Sequence, residues 1–217
     1  MRISALPARL ALAACLSLLG AAAARAHPHV FVAVKTAVLF APDGKVSGVR
    51  HSWTFDDMYS AFAVQGLGGK SGKPTEEELK ALAKINVEQL AEAGFFTFVR
   101  AGGKPAEFAA ATDYTMTMDA KKMLTLHFTA PLKQPASAGK AFVLQVYDPT
   151  YFVAFDFEKQ TPVTLTAAPS GCSVNLHQPP PLTDSDKGKL NDSAGTNVSP
   201  GADFGLKLAS RAIIACP

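Results

Sequence analysis

The chain has 217 residues, with 21 Lys and Arg against 18 Asp and Glu and a formal net charge of +3. Arg2, Arg9 and Arg25 all precede residue 27, so the remainder carries 18 cations against 18 anions. That balance excludes the strongly basic surface expected of a partner for nucleic acid or an anionic membrane, and no apolar run after Phe31 is long enough to span a bilayer.

The first 26 residues read as an export signal. Arg2 and Arg9 supply a basic head and residues 10–24 an apolar run; Ala24-Arg25-Ala26 fits the small-x-small pattern of signal peptidase. Cleavage after Ala26 delivers a periplasmic chain of about 191 residues that opens His27-Pro28-His29-Val30-Phe31 with a free amine. Cys15 leaves with the signal, and Cys172 with Cys216 is most simply a disulfide in an oxidising compartment. Closing that loop stabilises the fold by about 4 kcal/mol in the chain-entropy picture.

Residues 29–41 are rich in Val and Phe, break at Pro42-Asp43-Gly44-Lys45 and resume extended over Val46–Phe55, which predicts a hairpin. Period-two alternation puts His29, Phe31 and Ala33 on one face of the first strand, and Val49, His51, Trp53 and Phe55 on one face of the second. Asp56-Asp57 opens a short helix reaching Val64, with its carboxylates set favourably against the helix dipole. After a glycine-rich loop over 66–73, Thr75-Glu76-Glu77-Glu78 is a capping box. It starts a helix that runs to Ala93, with Leu79, Leu82, Ile85, Leu90 and Ala93 as its apolar stripe and Gly94 as its stop. Strands are predicted at 95–100, 105–110, 114–118, 123–129, 141–147, 151–157 and 163–167, with 172–177 as one more. Short strands divided by Pro and Gly imply an α+β fold, mostly antiparallel and sandwich- or barrel-like, with one clear capped helix and a short second one. The β-rich domain spans 27–178. Pro179-Pro180-Pro181 opens a polar, flexible connection over 179–202, and 203–217 is a C-terminal segment tied back by the disulfide.

Five histidines remain after the signal: His27, His29, His51, His127 and His177. The free amine and imidazole of a first-position His27 form a six-membered chelate suited to copper(II) or nickel(II). A histidine at mature position three often marks a square-planar site built on backbone amides, but Pro28 has no N–H to give up, which excludes that site. A chelate at His27 with His29 nearby, completed from elsewhere, is one reading; a frayed polar tail is the other. His51, beside Trp53 and Phe55, is either a hydrogen-bonded core residue or a completing ligand. His127 alternates with Thr125 and Thr129 on the polar side of its strand, as a ligand or a plain surface residue, and His177 beside the proline run is solvated. Asp148, in Tyr147-Asp148-Pro149-Thr150-Tyr151, is a turn-forming cap, a metal ligand, or a partner that orients a histidine ring. Asp56 and Asp57 admit the same pair of roles, cap or ligand. No G-x-S-x-G, H-E-x-x-H or phosphate-binding glycine loop is present, and the chain reads as non-enzymatic.

His27-Pro28-His29-Val30-Phe31, Trp53-Thr54-Phe55-Asp56-Asp57 with Tyr59-Ser60, Leu126-His127-Phe128 and Tyr147-Asp148-Pro149-Thr150-Tyr151 follow one another along the chain. In this they resemble a bacterial family catalogued as domain of unknown function one-thousand-and-seven. It is also labelled the periplasmic component of an uncharacterised ABC-type transport system. The resemblance covers nearly the whole mature chain and implies a setting beside nickel/cobalt-type efflux permeases or zinc-responsive transport genes. The resemblance implies an EF-hand-like loop before the long helix, as many members of that family look to carry. With Glu78 at its twelfth position Gly72 falls at the sixth, but Leu67, Gly69 and Ser71 stand where the acidic ligands belong, so no calcium site is expected here. Two-lobed solute receptors alternate strands and helices, a pattern this chain lacks.

The expectation is therefore a periplasmic accessory or binding protein of a transition-metal transport system (nickel, cobalt, zinc or copper), serving an inner-membrane metal permease. It binds metal through His27 and His29, with His51 and His127 as completing ligands and Asp148 in support. The competing expectation is a β-rich interaction module that partners a membrane permease and has no metal site of its own.

Overall fold

Alternating buried and exposed side chains along the strands build two sheets that share one apolar interior. The computed structural model describes residues 28–193 and 199–217. The stretch read as an export signal and His27 lie outside the described residues. Strands β1 (Val30–Phe40) and β2 (Val46–Phe55) form the expected hairpin. They are followed by β3 (Thr97–Ala101), β4 (Lys104–Ala106), β5 (Thr112–Met118), β6 (Leu124–Ala136), β7 (Phe142–Val146), β8 (Val153–Phe157), β9 (Val163–Thr166), β10 (Ser173–His177) and β11 (Arg211–Ala215). One sheet runs β5-β6-β2-β1-β8, with β9 also paired to β1; the other runs β10-β11-β7-β3-β4. The α+β, mostly antiparallel, sandwich-like architecture expected from the strand spacing is the one found, and among the described residues only β8 and β9 run parallel to their neighbour β1.

The register assigns the faces. Thr36 lies opposite His51 and Val34 opposite Trp53, so even-numbered residues of β1 point inward with the odd-numbered residues of β2. The inner layer is Val32, Val34 and Val38 with Trp53, Leu126 and Phe128 from one sheet, faced by Val99, Phe142, Leu144 and Ile214 from the other. His51 is fully buried inside this layer, its ring 5.3 Å from Trp53 and 5.1 Å from Phe128.

Both nitrogens of His51 are engaged, one to each sheet. Nδ1 lies 2.9 Å from Thr36 Oγ1 on β1, and Nε2 lies 3.1 Å from Thr97 Oγ1 on β3. The Thr97 hydroxyl also donates to the carbonyl of Phe95 at 2.7 Å, so its oxygen has only lone pairs to offer His51. The ring must therefore carry its proton on Nε2 and accept from Thr36 at Nδ1. Burial holds it neutral and lowers its pKa to about 3. The corner that aims Thr97 inward is left-handed at three successive residues, Gly94, Phe95 and Phe96, with φ of 58°, 56° and 45°. For the two phenylalanines this is costly backbone, offset by burial of Phe95 against Phe108 and Phe128.

Helices α1 (Asp57–Ala63) and α2 (Glu76–Glu92) follow their sequence signals. The Thr75 capping box is complete, and Glu78 also accepts from the N–H of Gly68 at 3.1 Å. A carboxylate that would hold a cation in an EF-hand is here bonded to the backbone of its own loop. Leu79, Leu82 and Leu90 of the expected stripe on α2 pack against the core, whereas Ile85 and Ala93 face outward. Ala83 and Val87 are the buried residues of the helix and Ile85 is 51 % exposed, because Asn86 turns inward to accept a hydrogen bond from the Tyr59 hydroxyl of α1.

The C-terminal part departs further. A helix, α3 (Asp184–Ser193), occupies much of the stretch expected to be a flexible connection. Thr183 caps it, accepting from Asp186 N at 3.2 Å and donating to Asp186 Oδ2 at 2.6 Å. Lys207, from α4 (Phe204–Leu208), lies 2.6 Å from the same carboxylate; its hydrogen bond, with that of Thr183, holds the Asp186 carboxyl down at about 2. A polar helix carried by a cap and an ion pair has no apolar periodicity to betray it. β11 then inserts between β10 and β7, and the Cys172–Cys216 disulfide staples the β10 and β11 ends.

Two measurements follow from this interior. Because the pKa of His51 is about 3 in the folded chain and about 6.5 when unfolded, the unfolded state binds the extra proton between those values. Its contribution is complete above pH 6.5 and is lost as pH falls toward 3, by up to about 1.4 kcal/mol per pH unit. Denaturant titrations across that range will show a shallower acid loss in a His51→Phe variant. Replacing Cys172 and Cys216 together by Ser will lower the unfolding free energy by about 2–5 kcal/mol in the same assay.

Candidate amino-terminal site

His29 is held at the head of β1 from one side by β8. Its N–H donates to the carbonyl of Phe152 at 2.8 Å, and its ring stacks on the Phe152 ring at 4.5 Å with planes 26° apart. Two residues on, Phe31 is held from the other side. Its N–H donates to Asp56 Oδ2 at 2.7 Å, and Asp56 N–H returns a bond to the Phe31 carbonyl at 3.0 Å. Asp56 Oδ1 meanwhile caps α1, accepting from Tyr59 N at 2.7 Å. One carboxylate thus joins the first strand to the first helix, and the segment at His29 is anchored rather than frayed. The side chains of Phe31 and Phe152 are 51 % and 47 % exposed beside it, an open apolar collar.

Asp148 supports this arrangement indirectly. It is buried, with Oδ1 accepting from the N–H and hydroxyl of Thr150 at 2.9 and 2.8 Å and Oδ2 accepting from Val153 N at 3.0 Å. The Val153 N–H and the Phe152 carbonyl belong to one peptide group, which points its hydrogen at Asp148 and its oxygen at His29. Asp148 therefore acts on His29 through a peptide and touches no histidine ring. The turn is braced in turn by Gly205, where a Cβ would fall 1.8 Å from the Asp148 carbonyl oxygen. No larger residue permits that approach.

The remaining expected ligands are elsewhere. His51 shares neither face nor level with His29, and both its nitrogens are spent in the core. His127 is half-buried on the outward face of the first sheet, 2.9 Å from Ser52 Oγ and 3.4 Å from Thr117 Oγ1. Desolvation, and to a lesser degree the charge of Arg50, lowers its pKa. It lies opposite Ser52, which lies opposite Lys35. His29 precedes Lys35 by six residues, which is about 20 Å of extended strand. A first-row ion binds imidazole nitrogen at about 2 Å, so one ion cannot be shared across that span. Among the described residues no three His, Cys, Asp or Glu side chains are grouped to hold a metal ion. Sequence reasoning missed Phe152, an aromatic in a turn that carries no local signal. It foresaw Asp56 as a cap but not its bond to a strand 25 residues away.

Two facing sheets, one disulfide and a clamped amino-terminal strand define a small two-sheet α+β protein. No helix among the described residues is long and apolar enough to cross a membrane. The chain belongs to the family described as "Protein of unknown function (DUF1007)", matching it over residues 12–216. It is similar to an "Uncharacterized protein" of Haemophilus influenzae, 26 % identical over 156 residues that cover 71 % of this chain and 74 % of the relative. It is also similar to the "Uncharacterized 15.5 kDa protein in trpE 3'region" of Spirochaeta aurantia, 31 % identical over 114 residues, 52 % of this chain and 81 % of the relative.

The double role of Asp56 has a measurable consequence. An Asp56→Ala variant will lose about 1–2 kcal/mol of stability with the helix cap. Hydrogen exchange will also find the Phe31 amide, protected in the parent, exchanging at least tenfold faster, whereas loss of a cap alone leaves Phe31 unchanged.

Proposed function

We propose that this is an exported, periplasmic binding protein that takes a transition-metal ion (nickel, cobalt, zinc or copper) as cargo at its amino terminus and serves an inner-membrane metal permease. The observation that carries this reading is the anchoring of His29, bonded through its backbone to Phe152 and stacked on that ring at 4.5 Å. Signal cleavage after Ala26 would place a free amine and the His27 imidazole two residues away. Amine and imidazoles suit copper(II), nickel(II) and zinc, and Pro28 keeps the intervening backbone from supplying an amide ligand. Further donors come from the permease or from solvent, because His51, His127 and Asp148 are committed to their own hydrogen bonds. A partly filled coordination shell suits a carrier that must pass its ion on.

A second reading draws on the exposure of Phe31 and Phe152. On that reading the collar is a contact for the permease and the histidines are incidental.

Calorimetry and intact-mass spectrometry of the processed protein separate the two. Cargo binding requires one nickel, copper or zinc ion per chain with micromolar or tighter affinity, weakening below about pH 6 as the imidazole ligands take up protons. It is lost in a His27→Ala/His29→Ala variant and kept in His127→Ala. No uptake of any of these metals removes the reading. Full metal tolerance from the double variant in cells supports the interaction module instead.

A further inference from the structure

A cluster of unassigned polar groups with a concave wall lies on the outward face of the second sheet. Gln145 of β7 is directly opposite Arg211 of β11, and Arg211 is directly opposite His177 of β10. The three side chains therefore stand in one row across three strands, about 4.8 Å apart at each step. All three line a cleft of about 560 Å³, walled by the Pro179-Pro180-Pro181 run on one side and by Leu206 of α4 on the other. We propose that this cleft binds a small organic polyanion of the di- or tricarboxylate class, with Arg211 as the principal anchor.

The charge balance sets the sign of the ligand. Lys207 and Asp186 both line the cleft, but they are 2.6 Å apart and cancel. Among the described residues Arg211 is in no ion pair, so its guanidinium is the uncompensated charge of the site. A guanidinium grips one carboxylate through two parallel N–H donors. The neighbouring imidazole and carboxamide, one strand away on either side, can donate to a second carboxylate. Two carboxylates separated by two carbons have about that spacing, so the row reads a molecule with several carboxylates rather than a single anion. The proline run and Leu206 cover the connecting carbons with rigid apolar surface, the usual division of labour in a small-molecule site. The cleft shares no residue with the amino-terminal site, and its ligand binds whether or not a metal is carried there.

Titration calorimetry on the full exported, disulfide-bonded chain tests this, at constant ionic strength, with citrate and succinate as probes and acetate and inorganic phosphate as single-anion comparisons. Citrate and succinate are expected to bind at least tenfold tighter than acetate or phosphate. Arg211→Gln should weaken both at least tenfold. Arg211→Lys, which keeps the charge and loses the paired donors, should weaken them severalfold, and His177→Asn should weaken succinate severalfold while leaving acetate unchanged. Arg211 and His177 are exposed, and an unchanged thermal midpoint will show that the variants fold; should Arg211→Gln not fold, the other two decide. Absence of citrate and succinate binding, equal binding of all four anions, or indifference to these substitutions overturns the proposal.

Discussion

One buried imidazole joins the two halves of the sandwich. The bonds from Thr36 to His51, from His51 to Thr97 and from Thr97 to the Phe95 carbonyl run from one sheet to the other through an otherwise apolar layer. Every polar atom of that path is spoken for, and this makes a buried imidazole tolerable. The path also fixes where β3 enters its sheet, because Thr97 meets His51 only if the Gly94-Phe95-Phe96 corner stays left-handed. A backbone that unfavourable for phenylalanine persists when its surroundings hold it, and here the aromatic cluster and the histidine both do.

The same residue shows why the site was less legible than the fold. Strand positions, the 42–45 turn, both early helices and the Thr75 capping box could be read locally, from alternation, turn residues and caps. The pairing of His51 with Thr97 spans 46 residues, and no local pattern encodes it. Nor does parity within one strand tell which face of the next strand it joins. Only the register, Thr36 against His51, turns His29, Phe31 and Ala33 away from the core face that His51 occupies. The helix after the proline run escaped for a different reason. Its hold comes from Thr183 and from Lys207, and an apolar-periodicity reading is blind to both.

Support for the amino-terminal strand can be followed residue by residue from the other end of the chain. Gly205 lets α4 press against the Asp148-Pro149 turn. That turn bonds the 152–153 peptide through the Asp148 carboxylate, and the oxygen of the same peptide receives the His29 N–H. The disulfide and the position of β11 between β10 and β7 tie the last residues into the second sheet, so the C-terminal segment is mechanically linked to the head of β1. The role foreseen for Asp148, orienting a histidine ring, thus becomes orientation of the backbone that carries one. A carboxylate bonded to the far side of a peptide also makes its carbonyl a stronger acceptor, so the buried charge of Asp148 has a use in the bond to His29.

Dispersal of the histidines bears directly on the proposed metal cargo. A resident metal centre needs three or four donors within a few ångströms, held by the scaffold before the ion arrives. Here His51 stabilises the core, His127 is bonded to Ser52 and Thr117 on an outer face, and about 20 Å along the strand separates its level from His29. What the scaffold does supply is an anchor at His29, bonded to and stacked on Phe152, with the exposed ring of Phe31 two residues along. On the proposed reading, an anchored His29 next to a terminal amine and imidazole would be an incomplete site, and incompleteness favours transfer: an ion with open positions exchanges ligands with an acceptor without first being released to water. The rings of Phe31 and Phe152 are exposed beside His29, and on that reading they would meet the acceptor. On the proposed reading, binding of cargo and contact with the permease would be two aspects of one surface.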